Sequence, residues 1–236
     1  MTRLLLGSAS PARLATLRSL GIDPLVRVSG VDEDAVLASA RERFGALDPA
    51  DAVLVLAQAK AEWVSRSLGA DDVAPPADAA SSADAADPDD TDGDLVVLGC
   101  DSMLEINGDI HGKPADAAQA TQRWRAMRGR SGVLHTGHWL VDERDAAHGG
   151  TGGTLGATSS TVVHFADLSD AEIDAYVATG EPLRVAGAFT IDGRGGAFVT
   201  GIEGDHHGVV GVSLPLLREL LGQIGLTVPD LWPVVD

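Results

Sequence analysis

The run Leu95-Val96-Val97-Leu98-Gly99-Cys100, ended by Asp101, constrains the fold more than any other stretch of the chain. An unbroken apolar segment of this length suits a central strand covered on both faces, with Asp101 at its carboxyl end. Strands of that kind occur in sheets flanked by helices, and helix and strand signals alternate through the rest of the sequence.

Leu4-Leu5-Leu6 reads as a short buried strand that runs into Gly7-Ser8-Ala9-Ser10-Pro11. Ser10 is a good N-cap and Pro11 a good first helical residue, while Leu14, Leu17 and Leu20 mark one face of a helix that Gly21 closes. Asp48-Pro49 opens a second helix running to about Leu68. Met103 to Ile110, turning at Asn107-Gly108, suits a hairpin. A helix over about Asp116 to Arg128 follows, then strands over Val133–Val141 and Ser160–Phe165. Ser169 and Glu172 make a capping box for a helix bearing Ile173, Tyr176 and Val177. Ala197–Ile202 reads as a further strand, and Leu216, Leu220, Leu221 and Ile224 as the core face of the last long helix. The hairpin argues against a purely parallel sheet, so the expected fold is α/β with a mixed central sheet flanked by helices.

With 236 residues, 44% of them apolar, the chain can bury the core of one large α/β domain or two small lobes. Its formal charge of −18 comes mostly from 26 aspartates, and a surface so acidic repels phosphate backbones and anionic lipid. No nucleic-acid polymer and no membrane is therefore expected as a partner. Nine of the aspartates lie between Asp71 and Asp94, so half of the deficit belongs to one segment. Residues 70–94, rich in Ala and Asp, bury too little apolar area to order themselves and read as a disordered loop insertion. Residues 143–158, rich in Gly and Thr, read as a second, flexible loop. No stretch approaches the roughly 20 apolar residues that span a bilayer, and Met1 to Ser8 lacks the apolar core of a signal peptide, so a cytoplasmic location is expected. The single cysteine, Cys100, excludes an internal disulfide framework or a Cys-rich zinc site and reads as a small buried residue.

Chemistry concentrates at a few positions. The turn from Gly7 to Pro11 offers a helix N-terminus with small residues before it, a setting open to an anion. Arg13 in the first helical turn opposes the macrodipole, so either an anion lies between them or the side chain points into solvent. Lysine occurs only at Lys60 and Lys113. At about 100° per residue, Lys60 falls inside the apolar stripe of Val53, Leu56, Ala57 and Val64, where it either snorkels to an edge or projects into a cleft. Lys113, in the stiff Gly112-Lys113-Pro114 turn, can aim one ammonium at a phosphate. Asp101 is a natural metal ligand or base, and Glu33, in an acidic loop, a candidate second carboxylate. His135 and His138, three apart on a strand, face opposite sides and make no joint metal site. Together these residues suit a metal-assisted reaction on a polyphosphate.

Six segments in order, Leu6-Gly7-Ser8-Ala9-Ser10-Pro11-Ala12-Arg13, Val28-Ser29-Gly30-Val31-Asp32-Glu33, Gly99-Cys100-Asp101-Ser102, Gly112-Lys113-Pro114, Ala186-Gly187-Ala188-Phe189 and Gly204-Asp205 through Pro215, closely resemble the motifs of the Maf-like nucleoside triphosphate pyrophosphatases. The resemblance spans nearly the whole chain outside the two loops. It implies a two-lobed α/β fold around a cleft, often dimeric, and a hydrolase of phosphoric anhydride bonds. Such an enzyme converts a nucleoside triphosphate, standard or modified, to the monophosphate and pyrophosphate with Mg²⁺ or Mn²⁺. By the same likeness Asp101 is the proton acceptor and a metal ligand, Glu33 assists at the metal, and Ser8, Ser10, Arg13, Lys60 and Lys113 hold the phosphates.

Three expected pocket positions depart from the family's patterns. Ala12, Ser102 and Asp192 stand where the branch preferring dTTP and UTP has Arg, Thr and Gln, and the 7-methyl-GTP branch has Trp at the position of Ala12. Altered or relaxed base selectivity is expected. The resemblance also leaves room for a non-catalytic nucleotide-binding regulator of cell division and septum formation, and the residues alone for a phosphomonoesterase.

Overall fold

The computed structural model describes residues 1–68 and 94–233; the loop expected over 70–94 lies outside them except for Asp94. Among these residues seven strands form one mixed sheet in the order β2-β1-β3-β5-β6-β7, with β4 also on β3. The strands are β1 (Arg3–Leu6), β2 (Leu25–Val26), β3 (Leu95–Ile106), β4 (Asp109–His111), β5 (Ser131–Asp142), β6 (Thr154–Phe165) and β7 (Val199–Glu203). β1 is parallel to β2 and to the first part of β3, whereas β4, β5, β6 and β7 join by antiparallel ladders, so the expected mixed sheet is present.

Among the described residues seven α-helices flank it: α1 (Pro11–Ser19), α2 (Glu33–Phe44), α3 (Pro49–Arg66), α4 (Ala117–Met127), α5 (Asp170–Ala178), α6 (His206–Val210) and α7 (Leu214–Gln223). Local chemistry starts α1 and α5 as the sequence implies. The Ser10 side chain accepts from Arg13 N with Pro11 behind it, and Ser169 and Glu172 form the reciprocal capping box of α5. Asn107 (φ 53°) and Gly108 (φ 86°) turn β3 into β4 with the two positive φ values that a tight hairpin requires.

α3 lies directly on the sheet because two glycines let it. A Cβ at Gly99 would stand 2.2 Å from Ala57 O, and one at Gly137 2.3 Å from Val53 O. That contact buries Ala52, Val53, Leu56, Ala57, Ala61 and Val64 and carries Lys60 down onto the sheet with them. On one side of the fold β1, α1 and α7 share an apolar cluster with the first half of β3. A second cluster, centred on Trp124, Phe165, Tyr176 and Phe189, includes Leu104 and Ile106 from the second half of β3.

Three expectations need correction. β3 does not end at Cys100: β5 pairs with it from Val96↔Asp142 to Glu105↔Val133, so Asp101 lies mid-strand. The polar residues Asp101 and Ser102 interrupt the apolar pattern but not the ladder. On its other edge β3 pairs with β1 over Leu95–Leu98 and with β4 over Leu104–Ile106, so among the described residues Gly99–Met103 has no strand beside it there. Glu33 is not in a loop but is the first residue of α2, which the Asp32 side chain caps by accepting from Ala35 N. α2 gave no apolar stripe because it buries only Leu37 and Ala40. The loop over 143–158 stops at Gly153, since β6 begins at Thr154. Gly156, which suggested a loop, is a strand residue beneath Trp139, where a Cβ would meet Cε3 at 2.2 Å. No helix among the described residues is long and apolar enough to cross a membrane.

Candidate active site

A cavity of about 950 Å³ opens at the unpaired edge of β3. Its wall includes Ser8, Ser10, Ala12 and Arg13 from the β1–α1 turn, Glu33 from α2, Lys60 from α3, Asp101 and Ser102 from β3, Lys113 after β4, and Asp192. The structure thus brings together every candidate site residue of the sequence reading.

Lys60 is the pivot. Its Nζ lies 2.5 Å from Asp101 Oδ1 and 2.7 Å from Glu33 Oε1, so the side chain projects into the cavity rather than snorkelling to an edge. Lys60 and Asp101 are each 8% exposed. Burial pushes the Asp101 carboxyl above its ordinary range, Lys60 and Arg13 pull it back, and Glu33 adds to the rise. A buried carboxyl displaced upward and opening on a cavity has the setting of a proton acceptor.

Arg13 does not point into solvent. Its Nε donates to Gly211 O (3.1 Å), one terminal nitrogen to Cys100 O (2.8 Å) and Ser8 Oγ (2.9 Å), and the other to Ser102 Oγ (3.1 Å). The guanidinium thus fills the gap in the sheet and ties the β1–α1 turn, β3 and the end of α6 together. Ser102 Oγ lies 2.9 Å from Thr136 Oγ1, which donates to Gly208 O at 2.8 Å, so the hydroxyl of Ser102 donates to Thr136. Thr136, fully buried on β5, thus fixes the Ser102 hydroxyl from behind, a contact that a lone threonine in a strand does not announce in the sequence.

Lys113 is exposed at the cavity, on a turn whose Gly112 carbonyl accepts from Arg123 (2.6 Å) and from Gly187 N (3.1 Å). Asp192 is exposed in the segment between Thr190 and Gly195, and the Glu181 carboxylate beneath that segment was also missed. Cys100 turns its carbonyl, not its thiol, to the site: the side chain is fully buried and its thiol is pushed up to about 11 by that burial. His135 pairs with Ser160 and Glu105, while His138 donates to Thr136 O and accepts from Ser213 N, so the two do not meet.

Among the described residues no cluster of three or more His, Cys, Asp or Glu is arranged for a metal. Asp101 and Glu33 nevertheless fit a hard divalent ion, which is commonly held by one or two carboxylates while substrate phosphates and water complete the sphere. The ammonium of Lys60 already stands between them, touching one oxygen of each, which shows that the spot accepts positive charge.

The sequence profile described as Maf-like protein matches residues 3–224. The chain is 48% identical over 230 residues to a protein of Streptomyces avermitilis named nucleoside triphosphate pyrophosphatase, covering 98% of this chain and 94% of that one. A protein of the same name from Mycobacterium ulcerans is 47% identical over 234 residues (98% and 97% covered), and one from Salinispora tropica 52% identical over 231 residues (98% and 87% covered). The motifs that converge on the cavity, from Ser8 to Asp192, all fall within the matched span, and the chain belongs to the Maf-like protein family.

Proposed function

We propose that this protein is a nucleoside triphosphate pyrophosphatase, cleaving a nucleoside or deoxynucleoside triphosphate to the monophosphate and pyrophosphate. The observation that carries the reading is the buried Asp101–Lys60 pair, joined by the exposed Glu33, at the wall of a cavity large enough for a nucleotide. The full-length likeness to proteins of that name supports it.

In this reading Asp101 accepts the proton of the attacking water as its oxygen bonds to the α-phosphorus, and pyrophosphate leaves with the electron pair of the broken anhydride bond. Ser8 and Ser10 hold phosphate oxygens at the start of α1, and Lys60 and Lys113 place two point charges on the chain of phosphates. Arg13 serves them chiefly by holding the turn, since four of its hydrogen bonds are already made within the protein. Asp101 and Glu33 would hold Mg²⁺ or Mn²⁺, which, when bound, supplies charge neutralisation of the phosphates. Ala12, Ser102 and Asp192 border the base and give a selectivity unlike that of enzymes with Arg, Thr and Gln there.

A phosphate-release assay over a panel of triphosphates, run with and without added inorganic pyrophosphatase, tests the reading. Signal that requires the added enzyme is the expected result. Orthophosphate without it identifies a phosphomonoesterase. Nucleotide binding with no product from the wild type leaves a binding regulator instead.

A further inference from the structure

Glu181 is half-buried at the cavity wall, and one of its oxygens organises a whole segment. Oε1 accepts from Tyr176 Oη at 3.0 Å, from Gly195 N at 3.1 Å and from Thr190 Oγ1. Tyr176 Oη in turn accepts from Thr190 N at 3.3 Å. The backbone passes so close that a Cβ at Gly193 would stand 2.9 Å from Glu181 Oε1, and one at Gly195 2.4 Å from Tyr176 Oη. Residues 190–195 are therefore wrapped on the carboxylate, and no side chain fits at either glycine without shifting it.

The base of this clasp is rigid. Tyr176 meets Trp124 and Phe198 edge to face, with ring centroids 5.4 and 5.2 Å apart, inside the second apolar cluster. Burial pushes the Glu181 carboxyl up, but the bonds from Thr190 and from the amides of Gly195 and Arg194 outweigh it and leave it below its ordinary range, ionised and purely an acceptor. Asp192 stands at the exposed tip of the same segment, on the cavity wall.

We propose that Glu181 is a positioning residue for nucleobase recognition: anchored by Tyr176, it fixes the path of residues 190–195 and thereby where Asp192 meets the base. This rests on the nucleotide reading above. The carboxylate touches the segment and not the phosphates, so its loss weakens the grip on the nucleoside and spares the grip on pyrophosphate.

Calorimetry with nucleoside monophosphates and with inorganic pyrophosphate, on wild type, Glu181→Ala, Glu181→Gln and Tyr176→Phe, tests this. Glu181→Ala should weaken monophosphate binding about tenfold while pyrophosphate stays within about twofold, and at saturating triphosphate kcat should hold within about threefold. Glu181→Gln keeps an acceptor oxygen at Oε1 and should recover most of the loss. Tyr176→Phe removes one donor and should shift monophosphate binding several-fold in the same direction, and it decides the matter if Glu181→Ala fails to fold. Parallel weakening of both ligands, or of neither, overturns the clasp. A wild type that binds monophosphate but releases no pyrophosphate overturns the enzymatic reading alone, and one that binds no nucleotide overturns both.

Discussion

Lys60 Nζ stands 2.5 Å from Asp101 Oδ1, on a side chain that leaves α3 from within its buried stripe. The pairing exists because Gly99 lets α3 settle onto β3 two residues before Asp101. Each partner offsets the cost of burying the other at 8% exposure. Removing the ammonium by Lys60→Met leaves two carboxylates facing each other across a site that has lost its resident cation. The variant should lose about 3 kcal/mol of stability, as broken buried pairs do. It should regain part of that loss when Mn²⁺ is added, because a ligand bound only by the folded state stabilises it. The check is the Mn²⁺-induced rise in melting temperature, expected to be larger for Lys60→Met than for wild type. An equal or smaller rise would show that the metal does not use the space between Asp101 and Glu33.

Arg13 joins three segments through a planar fork, which a lysine cannot copy. Arg13→Lys keeps the charge but loses the simultaneous bonds to Gly211 O, Cys100 O and Ser102 Oγ. We expect kcat/KM to fall about tenfold or more, through misplacement of the β1–α1 turn rather than loss of charge. Steady-state kinetics at two salt concentrations check it: a defect that high salt reproduces in the wild type would point to charge alone.

His138 supplies a pH dependence of stability. It is fully buried, its Nδ1 donates to Thr136 O, and its Nε2 accepts from Ser213 N, so the ring is neutral in the fold. Burial, assisted by the charge of Arg13, lowers its pKa to about 4, whereas the unfolded chain titrates near the ordinary 6.5. The unfolded state therefore binds the proton more tightly. The contribution is fully present above pH 6.5 and declines as the pH falls toward 4, by about 3 kcal/mol in all. Urea unfolding between pH 4 and 7 measures it. His138→Gln, which can still accept from Ser213 N, should flatten the curve in that window, and an unchanged slope would assign the dependence elsewhere.

What the sequence disclosed follows from how local each signal is. Ser10-Pro11, Asn107-Gly108 and the Ser169/Glu172 box act within one turn, and each stands where local chemistry puts it. Lys60 was legible because its anomaly, a charge in an apolar stripe, is visible at helical spacing. The continuation of β3 past Asp101 was not, because it depends on a ladder with β5 formed some thirty residues later in the chain. α2 was hidden by its exposure, which leaves only two buried residues and no stripe. The Glu181 clasp draws donors from Tyr176, Thr190 and Gly195, and no spacing rule joins them before the fold does.

Asp192 leads to a prediction about the base. An ionised carboxylate only accepts hydrogen bonds, whereas the glutamine of the dTTP- and UTP-preferring branch both accepts and donates. Uracil and thymine present O4 beside N3–H, so a carboxylate satisfies the N–H and repels the carbonyl. Guanine presents two N–H donors side by side and suits a carboxylate better. The wild type should therefore show no strict preference for UTP or dTTP, and Asp192→Gln should raise kcat/KM for UTP relative to GTP about tenfold by supplying the missing donor. Competition between the two triphosphates in one assay gives the ratio directly. A wild type already selective for UTP and dTTP, or a ratio unmoved in Asp192→Gln, would place base recognition at other residues of the cavity.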